Sequence, residues 1–226
     1  MKKILALVMT LVLMCGMLMS CDNARALLEK ADAALKKEPY AITTKMDFKC
    51  DNAELNQIFS LMNIEIPAII DGENVTMDIG MDMMGYSVNA KAIVADMVLY
   101  YDIDVLGQGI KMKAAMNEDQ YQEFMGANDT HMAVKSEDFD KLTVETKDGK
   151  KHISCEEITE DGLEVLNDLV EESLDNANGE ATVSDVTYVI ILNNGKYESM
   201  NMTCVYSVTV AGETYNVTLN LSTEFS

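Results

Sequence analysis

Histidines, paired acids and cysteines are the residues of this sequence whose types could support catalysis or metal binding. The histidines are His131 and His152, and neither has another His or a Cys at the spacing that metal ligands require. His152 lies on the polar side of an alternating segment, as a solvated histidine does. GxSxG, HExxH and P-loop motifs are missing. We therefore expect no enzyme activity, no catalytic or metal site and no cofactor.

Paired acids offer a second kind of chemistry, because carboxylates at alternate positions of a strand share one face. Asp78 with Asp82 and Asp102 with Asp104 form such pairs. They could bind a divalent cation weakly, but the same pattern is typical of the solvated face of a sheet, which is the interpretation we favour.

The N-terminus carries a pattern that indicates covalent modification. Lys2 and Lys3 precede the apolar run from Ile4 to Met19, which is too short for a comfortable membrane span and stands where the h-region of a signal peptide belongs. The run closes in Leu18-Met19-Ser20-Cys21. This motif resembles the lipobox of bacterial lipoproteins, in which an aliphatic residue lies three positions before a cysteine and a small residue just before it.

The lipobox resemblance implies that residues 1–20 are removed and that Cys21 becomes the lipidated N-terminus. Several acyl chains on one cysteine give stable anchoring, so we expect the chain on the extracytoplasmic face of the cell membrane. An ordinary secretory signal or an N-terminal anchor helix is the alternative interpretation. Cys15 is a rival acceptor, but Met14 before it is too large for the motif.

The charge of the chain limits its partners. The sequence has 17 Lys and Arg against 38 Asp and Glu, and the loss of Lys2 and Lys3 with the leader leaves 15, for a formal charge of −23. A body this acidic excludes nucleic acid as a partner and is repelled by an anionic bilayer, so the lipid alone would hold it there. We expect a monomer.

Cys50, Cys155 and Cys204 remain after the lipidated cysteine. Their number is odd, so at most one disulfide can form. If one does, we expect Cys204 to pair with Cys155 or Cys50; buried free thiols are the alternative.

The periodicity of apolar residues predicts one α+β domain over residues 21–226. Helical spacing covers residues 22–38, 52–62 and 160–177, with a polar helical segment near 117–126. Alternation elsewhere predicts about nine or ten antiparallel strands, and Ile64 to Ile70, which contains Pro67, suits a loop or an edge strand. Strands this long form a large sheet that curves, and the N-terminal helix and the second long helix are available to cover its concave face.

The order of elements resembles the half-barrel of the LolA/LolB carriers and the mycobacterial LppX/LprG lipoproteins, and more closely still uncharacterised Firmicutes lipoproteins with Met-rich alternation. It rests on Cys21, the helix ending at Pro39, the Val75 to Met83 strand, the Tyr86 to Met116 meander and the Asn194-Gly195 hairpin. In those families the half-barrel encloses an apolar cavity for acyl chains or lipidated molecules. The resemblance therefore implies a cavity.

Alternation places an apolar set on the inward side of strands from both ends of the chain, with two residues of the short helix above it. The set is Met46, Phe48, Met77, Ile79, Met81, Met200, Met202, Tyr206, Val217 and Leu219, with Ile58 and Phe59 and the stripe of Leu166 and Leu169 as a lid. Methionine suits surfaces that accept variable shapes, so we predict that this set binds an apolar, lipid-like ligand. Two alternatives stay open: the methionines fill a packed core, or the domain is a sensory or protein-binding module with an envelope protein as its partner.

Overall fold

The computed structural model describes residues 24–72, 74–83, 86–105, 107–118, 120–121, 136–174, 179–210 and 212–226. Within these residues, helix α1 covers residues 24–35, α2 is Ala53–Phe59 and α3 is Glu160–Leu174. The strands are β1 Tyr40–Cys50, β2 Met62–Asp71, β3 Asn74–Met83, β4 Tyr86–Ala95, β5 Val98–Val105, β6 Gln108–Ala115, β7 Phe139–Lys147, β8 Lys150–Ile158, β9 Gly179–Asn193, β10 Lys196–Val210 and β11 Glu213–Phe225. A one-turn 3-10 helix, Ser136–Asp138, precedes β7.

All eleven strands belong to one open antiparallel sheet. Their order is β6-β5-β4-β3-β2-β1-β11-β10-β9-β8-β7, so every pairing except that of β1 with β11 joins strands that are consecutive in the chain, and β6 and β7 are the two edges. That junction runs in continuous register from Ile42 opposite Phe225 to Cys50 opposite Val217. The predicted single, large antiparallel sheet is confirmed.

The strand count is higher than predicted because β2 is an interior strand. The sequence around Pro67 predicts a loop or an edge strand, and this prediction is wrong. Ile64 and Ala68 of β2 are buried, and the strand lies between β1 and β3. Pro67 is accommodated because it pairs with Thr43 of β1, whereas the register with β3 skips Ile66 and Pro67. A proline that has no N–H to donate is tolerated where the ladder is interrupted.

Two hairpin turns, the predicted one at Asn194-Gly195 and a second at Asp148-Gly149, have the backbone that their sequences favour. Asn194 and Gly195 both have positive φ, 53° and 78°, and Asp148 and Gly149 have 51° and 79°. Positive φ at both central residues is the type I′ geometry that matches the twist of antiparallel strands. These two turns therefore set the register of β7 with β8 and of β9 with β10.

The helices are shorter than their apolar periods suggested. Helix α1 gives way to a turn at residues 36–37, before Pro39. Helix α2 ends at Phe59, because Met62, which fitted the helical stripe, instead begins β2 opposite Met83. For the second long helix, residues 175–178 lie outside the described part of the chain, as do residues 122–126 of the polar segment.

Paired residues in a sheet project to the same side, so the registers define one apolar face that runs across all eleven strands. Its C-terminal half, on β7 to β10, forms the main core with α1 and α3. Fully or almost fully buried members include Phe139, Ile153, Tyr188 and Ile190, together with Leu28 of α1. Burying a side chain such as Leu28 contributes about 1.5–3 kcal/mol.

Two polar contacts fix α1 on this core. The Tyr197 hydroxyl of β10 donates to Asp32 Oδ1 at 2.7 Å, and Lys196 Nζ lies 3.0 Å from Glu38 Oε2 just beyond the helix. Burial, reinforced by the Asp32 contact, raises the pKa of Tyr197 above its ordinary value, so the hydroxyl stays a donor. Phe225, the last residue of β11, stacks on the Tyr197 ring with 5.1 Å between centroids.

The N-terminal half of the apolar face is packed differently. A small cluster, made by Val75, Val94 and Tyr121 with half-buried neighbours, closes one end of β3 and β4. Farther along the same face, Ile79 and Ile103 are only half-buried, and on edge strand β6 Ile110 and Met112 are 55% and 50% exposed. This half therefore presents apolar surface that the described helices leave open.

Candidate ligand pocket

Helix α2 is held over the β1–β11 junction by its N-cap and by a side-chain clamp. Asn52 Oδ1 accepts hydrogen bonds from the backbone N–H groups of Glu54 and Leu55, both at 3.0 Å, which satisfies two donors of the first turn. Asp51 accepts from the backbone N and side-chain Nδ2 of Asn216 at 3.1 and 2.9 Å. The Asn216 bonds lower the pKa of Asp51, so the clamp stays charged at neutral pH.

Between α2 and the sheet lies a pocket of about 600 Å³ that is open to solvent, which we call the α2 pocket. Its walls come from α2, from the end of β10 and from the start of β11. The lining residues are Leu55, Phe59, Tyr206, Val208, Glu213, Tyr215 and Val217. Six of the seven are apolar or aromatic, and the volume lies in the range of pockets that hold small molecules.

Aromatic rings dominate this pocket. Phe59 contacts Phe48 of β1, with 5.7 Å between the ring centroids and a 42° tilt. The Tyr215 hydroxyl donates to the carboxylate of Glu213, and this hydrogen bond is the main reason why the pKa of Tyr215 is raised. Burial raises the pKa of Tyr206. Both phenols are therefore neutral at physiological pH, and Glu213 is the charged group of the lining.

The structure gathers part of the predicted ligand set at the α2 pocket. Phe59, Tyr206 and Val217 line it, and Phe48 lies behind Phe59. Ile58 is on the same helix but is 41% exposed and outside the lining.

The other predicted residues lie elsewhere on the apolar face. Met200 is 7% exposed within the main core, and Met202 and Leu219 pack against that core, as does Tyr206. Met200 and Met202 therefore lie in the packed core, which is the first of the two alternatives to ligand binding. Met77 packs against the small cluster of β3 and β4, and Met46 is half-buried between Ile64 and Leu221.

Ile79 is half-buried on β3, and the backbone of Met81 pairs with Ile64 and Val88 in the same register, whereas the Met81 side chain lies outside the described part. Leu166 of α3 is buried in the main core, away from α2, and the Leu169 side chain is not among those described. The role of the set in ligand binding stays a prediction.

Four lining residues are absent from the predicted set. Val208 and Tyr215 have the inward parity of their strands, and Leu55 belongs to the stripe of the short helix, so the signal for these three was present in the alternation. Glu213 follows the turn at Gly212, and nothing in the spacing distinguishes it from other surface acids.

Three of the four paired acids make local contacts, and the side chain of the fourth, Asp82, is not among those described. On the outer face, Asp78 lies 3.5 Å from Lys91 and Asp102 3.0 Å from Lys111, and Asp104 accepts from the backbone N of Gly107 at 2.8 Å. In the described ranges, no cluster of His, Cys, Asp and Glu is arranged to hold a metal ion.

His152 lies on the outer side of β8 opposite Glu145 and Ile191, whereas His131 and Cys21 fall outside the described residues. The three other cysteines are free thiols, so the conditional disulfide is not formed. Burial raises the pKa of Cys155 to about 12 and that of Cys204 to about 11. Thiols that hold their protons so strongly are chemically inert.

No protein-family model and no curated protein matches this chain. Among solved structures, the crystal structure of MucB in complex with MucA(peri) aligns with 90% of this chain and 94% of that chain, at 10% identity and with a TM-score of 0.13. A likeness this weak carries no argument. Among the helices that the structure describes, none is both long enough and apolar enough to cross a bilayer.

Proposed function

We propose that this protein is a membrane-anchored, extracytoplasmic lipoprotein that binds an apolar, lipid-like ligand on the apolar face of its sheet. The α2 pocket carries the proposal. It is a cavity of about 600 Å³ with mainly apolar walls, it is open to solvent, and it lies on the face where the sequence placed the ligand set. A concave, mainly apolar pocket of this size is the usual setting of a small-molecule site.

The half-filled apolar face supports the same proposal. Eleven strands of up to 15 residues form a sheet that twists, and we propose that it curves as a half-barrel with α1 and α3 in its concave side. These helices cover the half on β7 to β10, where the core side chains are buried. The other half of the same face keeps half-buried Ile79 and Ile103 and exposed Ile110 and Met112, which we propose as further surface for a long apolar ligand.

Membrane anchoring is compatible with the way the domain begins. Ala24, three residues after Cys21, is completely buried in the main core. A lipid on Cys21 would therefore hold the domain within about 10 Å of the bilayer surface, since three extended residues span roughly that distance. A domain held this close to the membrane can exchange lipid-like molecules with it.

The test uses the mature chain with Cys21→Ala, so that no lipid is attached. Native mass spectrometry with organic extraction should detect a co-purifying apolar molecule, and the emptied protein should bind the neutral apolar dye Nile red. Leu55→Trp fills the pocket from α2 and should weaken dye binding at least about tenfold with a modest loss of stability. Ile58→Trp, on the same helix but outside the lining, is the matched control and should bind as wild type.

A wild-type domain that neither co-purifies with an apolar molecule nor binds Nile red would contradict this proposal. Equal losses in Leu55→Trp and Ile58→Trp would show that the dye binds elsewhere.

Edge strand β6 favours a second function, that of a protein-binding or sensory module of the envelope. All eight residues from Gln108 to Ala115 are exposed, and β6 has no further strand beside it in the described sheet. An open edge with apolar Ile110 and Met112 is a template for an added strand.

A photo-crosslinker at Met112 should then capture one protein in cells, with Glu65 on the outer face as the control position. Loss of that product in Ile110→Lys would support the module, and no product at Met112 would exclude this edge as its interface.

A further inference from the structure

The α2 pocket has a chemical character more specific than an apolar cavity. Three of its seven lining residues are aromatic, Phe59, Tyr206 and Tyr215, although the whole sequence has only 9 Tyr, 5 Phe and no Trp. The faces of such rings carry partial negative charge and attract cations, and recognition of quaternary ammonium groups is a main use of clustered rings.

A carboxylate stands beside these rings. Glu213 is the charged member of the lining, and the hydrogen bond from the Tyr215 hydroxyl fixes it next to one of them. The Tyr215 hydroxyl donates to Glu213, and the same residue lines the pocket. The arrangement pairs a negative charge with aromatic faces around one space.

The described lining of the pocket has no cationic side chain to pair with an anionic head group. It contains no Lys, Arg or His. Lys49 lies between Phe48 and Cys50 on β1. Because those two residues are on the inner face of the sheet, Lys49 projects from the outer face, where it is exposed. The formal charge of the chain, −21, adds a long-range field of the same sign as Glu213.

We propose that the α2 pocket binds amphiphiles whose head group is a quaternary ammonium. The ammonium lies among Phe59, Tyr206 and Tyr215 beside Glu213, and the apolar chain runs along Leu55, Val208 and Val217. This inference rests on the proposed function, since it names the class of ligand for the same pocket. It predicts a preference by charge among ligands with identical chains.

The experiment compares three probes with the same twelve-carbon chain: dodecyltrimethylammonium, dodecanol and dodecanoate. Each probe is titrated against Nile red bound to the mature Cys21→Ala protein. The charged probes stay below their micelle concentrations and dodecanol below its solubility limit, at about 0.15 M salt, which screens charges farther away than roughly 8 Å. We expect the ammonium to compete about tenfold better than dodecanol, and dodecanoate to compete worst, because only the ammonium gains an ion pair with Glu213 and contacts with the ring faces.

Glu213→Gln should bring the ammonium to within about threefold of dodecanol and leave dodecanol unchanged. Glu224→Gln removes an exposed carboxylate from the outer side of the same strand and is the matched control, with wild-type preference expected. Phe59→Leu keeps an apolar wall without the ring, so it should reduce the preference for the ammonium more than it weakens dodecanol binding. Melting temperatures of all variants confirm that each is folded.

The outcomes separate the two proposals. If Nile red and dodecanol bind but the ammonium binds no tighter, or if Glu224→Gln abolishes the preference as Glu213→Gln does, the ammonium inference is wrong and the apolar pocket stands. If neither Nile red nor dodecanol binds, the proposed function and this inference both fail.

Discussion

The contact between Tyr197 and Asp32 gives a sharp test of how α1 is held on the sheet. Tyr197→Phe removes one hydroxyl and leaves the ring, which still stacks on Phe225. The lost bond is short, at 2.7 Å, and its acceptor is a half-buried carboxylate. Hydrogen bonds to charged groups are worth about 1.5–3 kcal/mol, and the partial exposure of Asp32 favours the lower part of that range.

We therefore expect Tyr197→Phe to lower the free energy of unfolding by about 2 kcal/mol, measured by urea denaturation. For a domain of this size that corresponds to a fall of about 4–8 °C in melting temperature. Tyr100→Phe is the matched control, because Tyr100 is 39% exposed on the outer face, with Lys113 Nζ 5.2 Å from its ring centroid. Its stability should stay within about 0.5 kcal/mol of wild type.

A double-mutant cycle with Asp32→Asn isolates the bond from the separate effects of the two residues. A coupling energy of about 1 kcal/mol or more is expected. If Tyr197→Phe is as stable as the Tyr100→Phe control, or if the coupling is near zero, the hydrogen bond does not hold α1 and apolar packing alone accounts for its position.

Three further predictions concern other parts of the chain. Gly162→Ala, which would stabilise an exposed helix, should destabilise α3 by about 1–3 kcal/mol in urea unfolding, since a Cβ there would lie 2.8 Å from Asp138 Cβ and 2.9 Å from Ile158 Cγ1; an unchanged midpoint would contradict this. Burial raises the pKa of Cys155 from 9.0 to about 12, so the unfolded chain loses this proton first, and the stability present below pH 9 falls between pH 9 and 12 by about 1.4 kcal/mol per pH unit. The free energy of unfolding of Cys155→Ala should fall less steeply with pH by that amount. Equal slopes for the variant and the wild type would show that Cys155 does not cause the loss. Cys21→Ala should leave the precursor uncleaved by lipoprotein signal peptidase and unlabelled by fatty acid, whereas persistent labelling would point to Cys15.

Regular alternation and turn chemistry made most of the sheet predictable. The predicted Val75 to Met83 strand is β3, Asn74–Met83, and Asn194-Gly195 forms the predicted turn because both residues tolerate positive φ. Pro67 led to the wrong prediction of a loop or an edge strand at β2. A proline argues against an interior strand only where the ladder needs the N–H that proline lacks. Here the ladder to β3 skips that position.

The candidate site was less accessible to sequence reasoning. Parity assigns a residue to a face of the sheet, and it does so equally for packed core and for pocket walls. Met202 and Tyr206 lie on the same face and the same strand, yet Met202 packs against the core and Tyr206 also borders the pocket. The difference comes from where α1, α2 and α3 lie above that face, which depends on contacts between residues far apart in sequence.

The order of the strands also bears on how the protein folds and what its last residues do. Every strand pairing joins neighbours in the chain except β1 with β11, where Ala41 and Ser226 exchange backbone hydrogen bonds at 2.8 and 2.9 Å. The two meanders, β1 to β6 and β7 to β11, can each assemble from local contacts, but joining them closes a loop of nearly the whole chain, which is entropically costly and slow. Loss of β11 would therefore split the sheet at its centre and leave β1 and β10 as two new open edges.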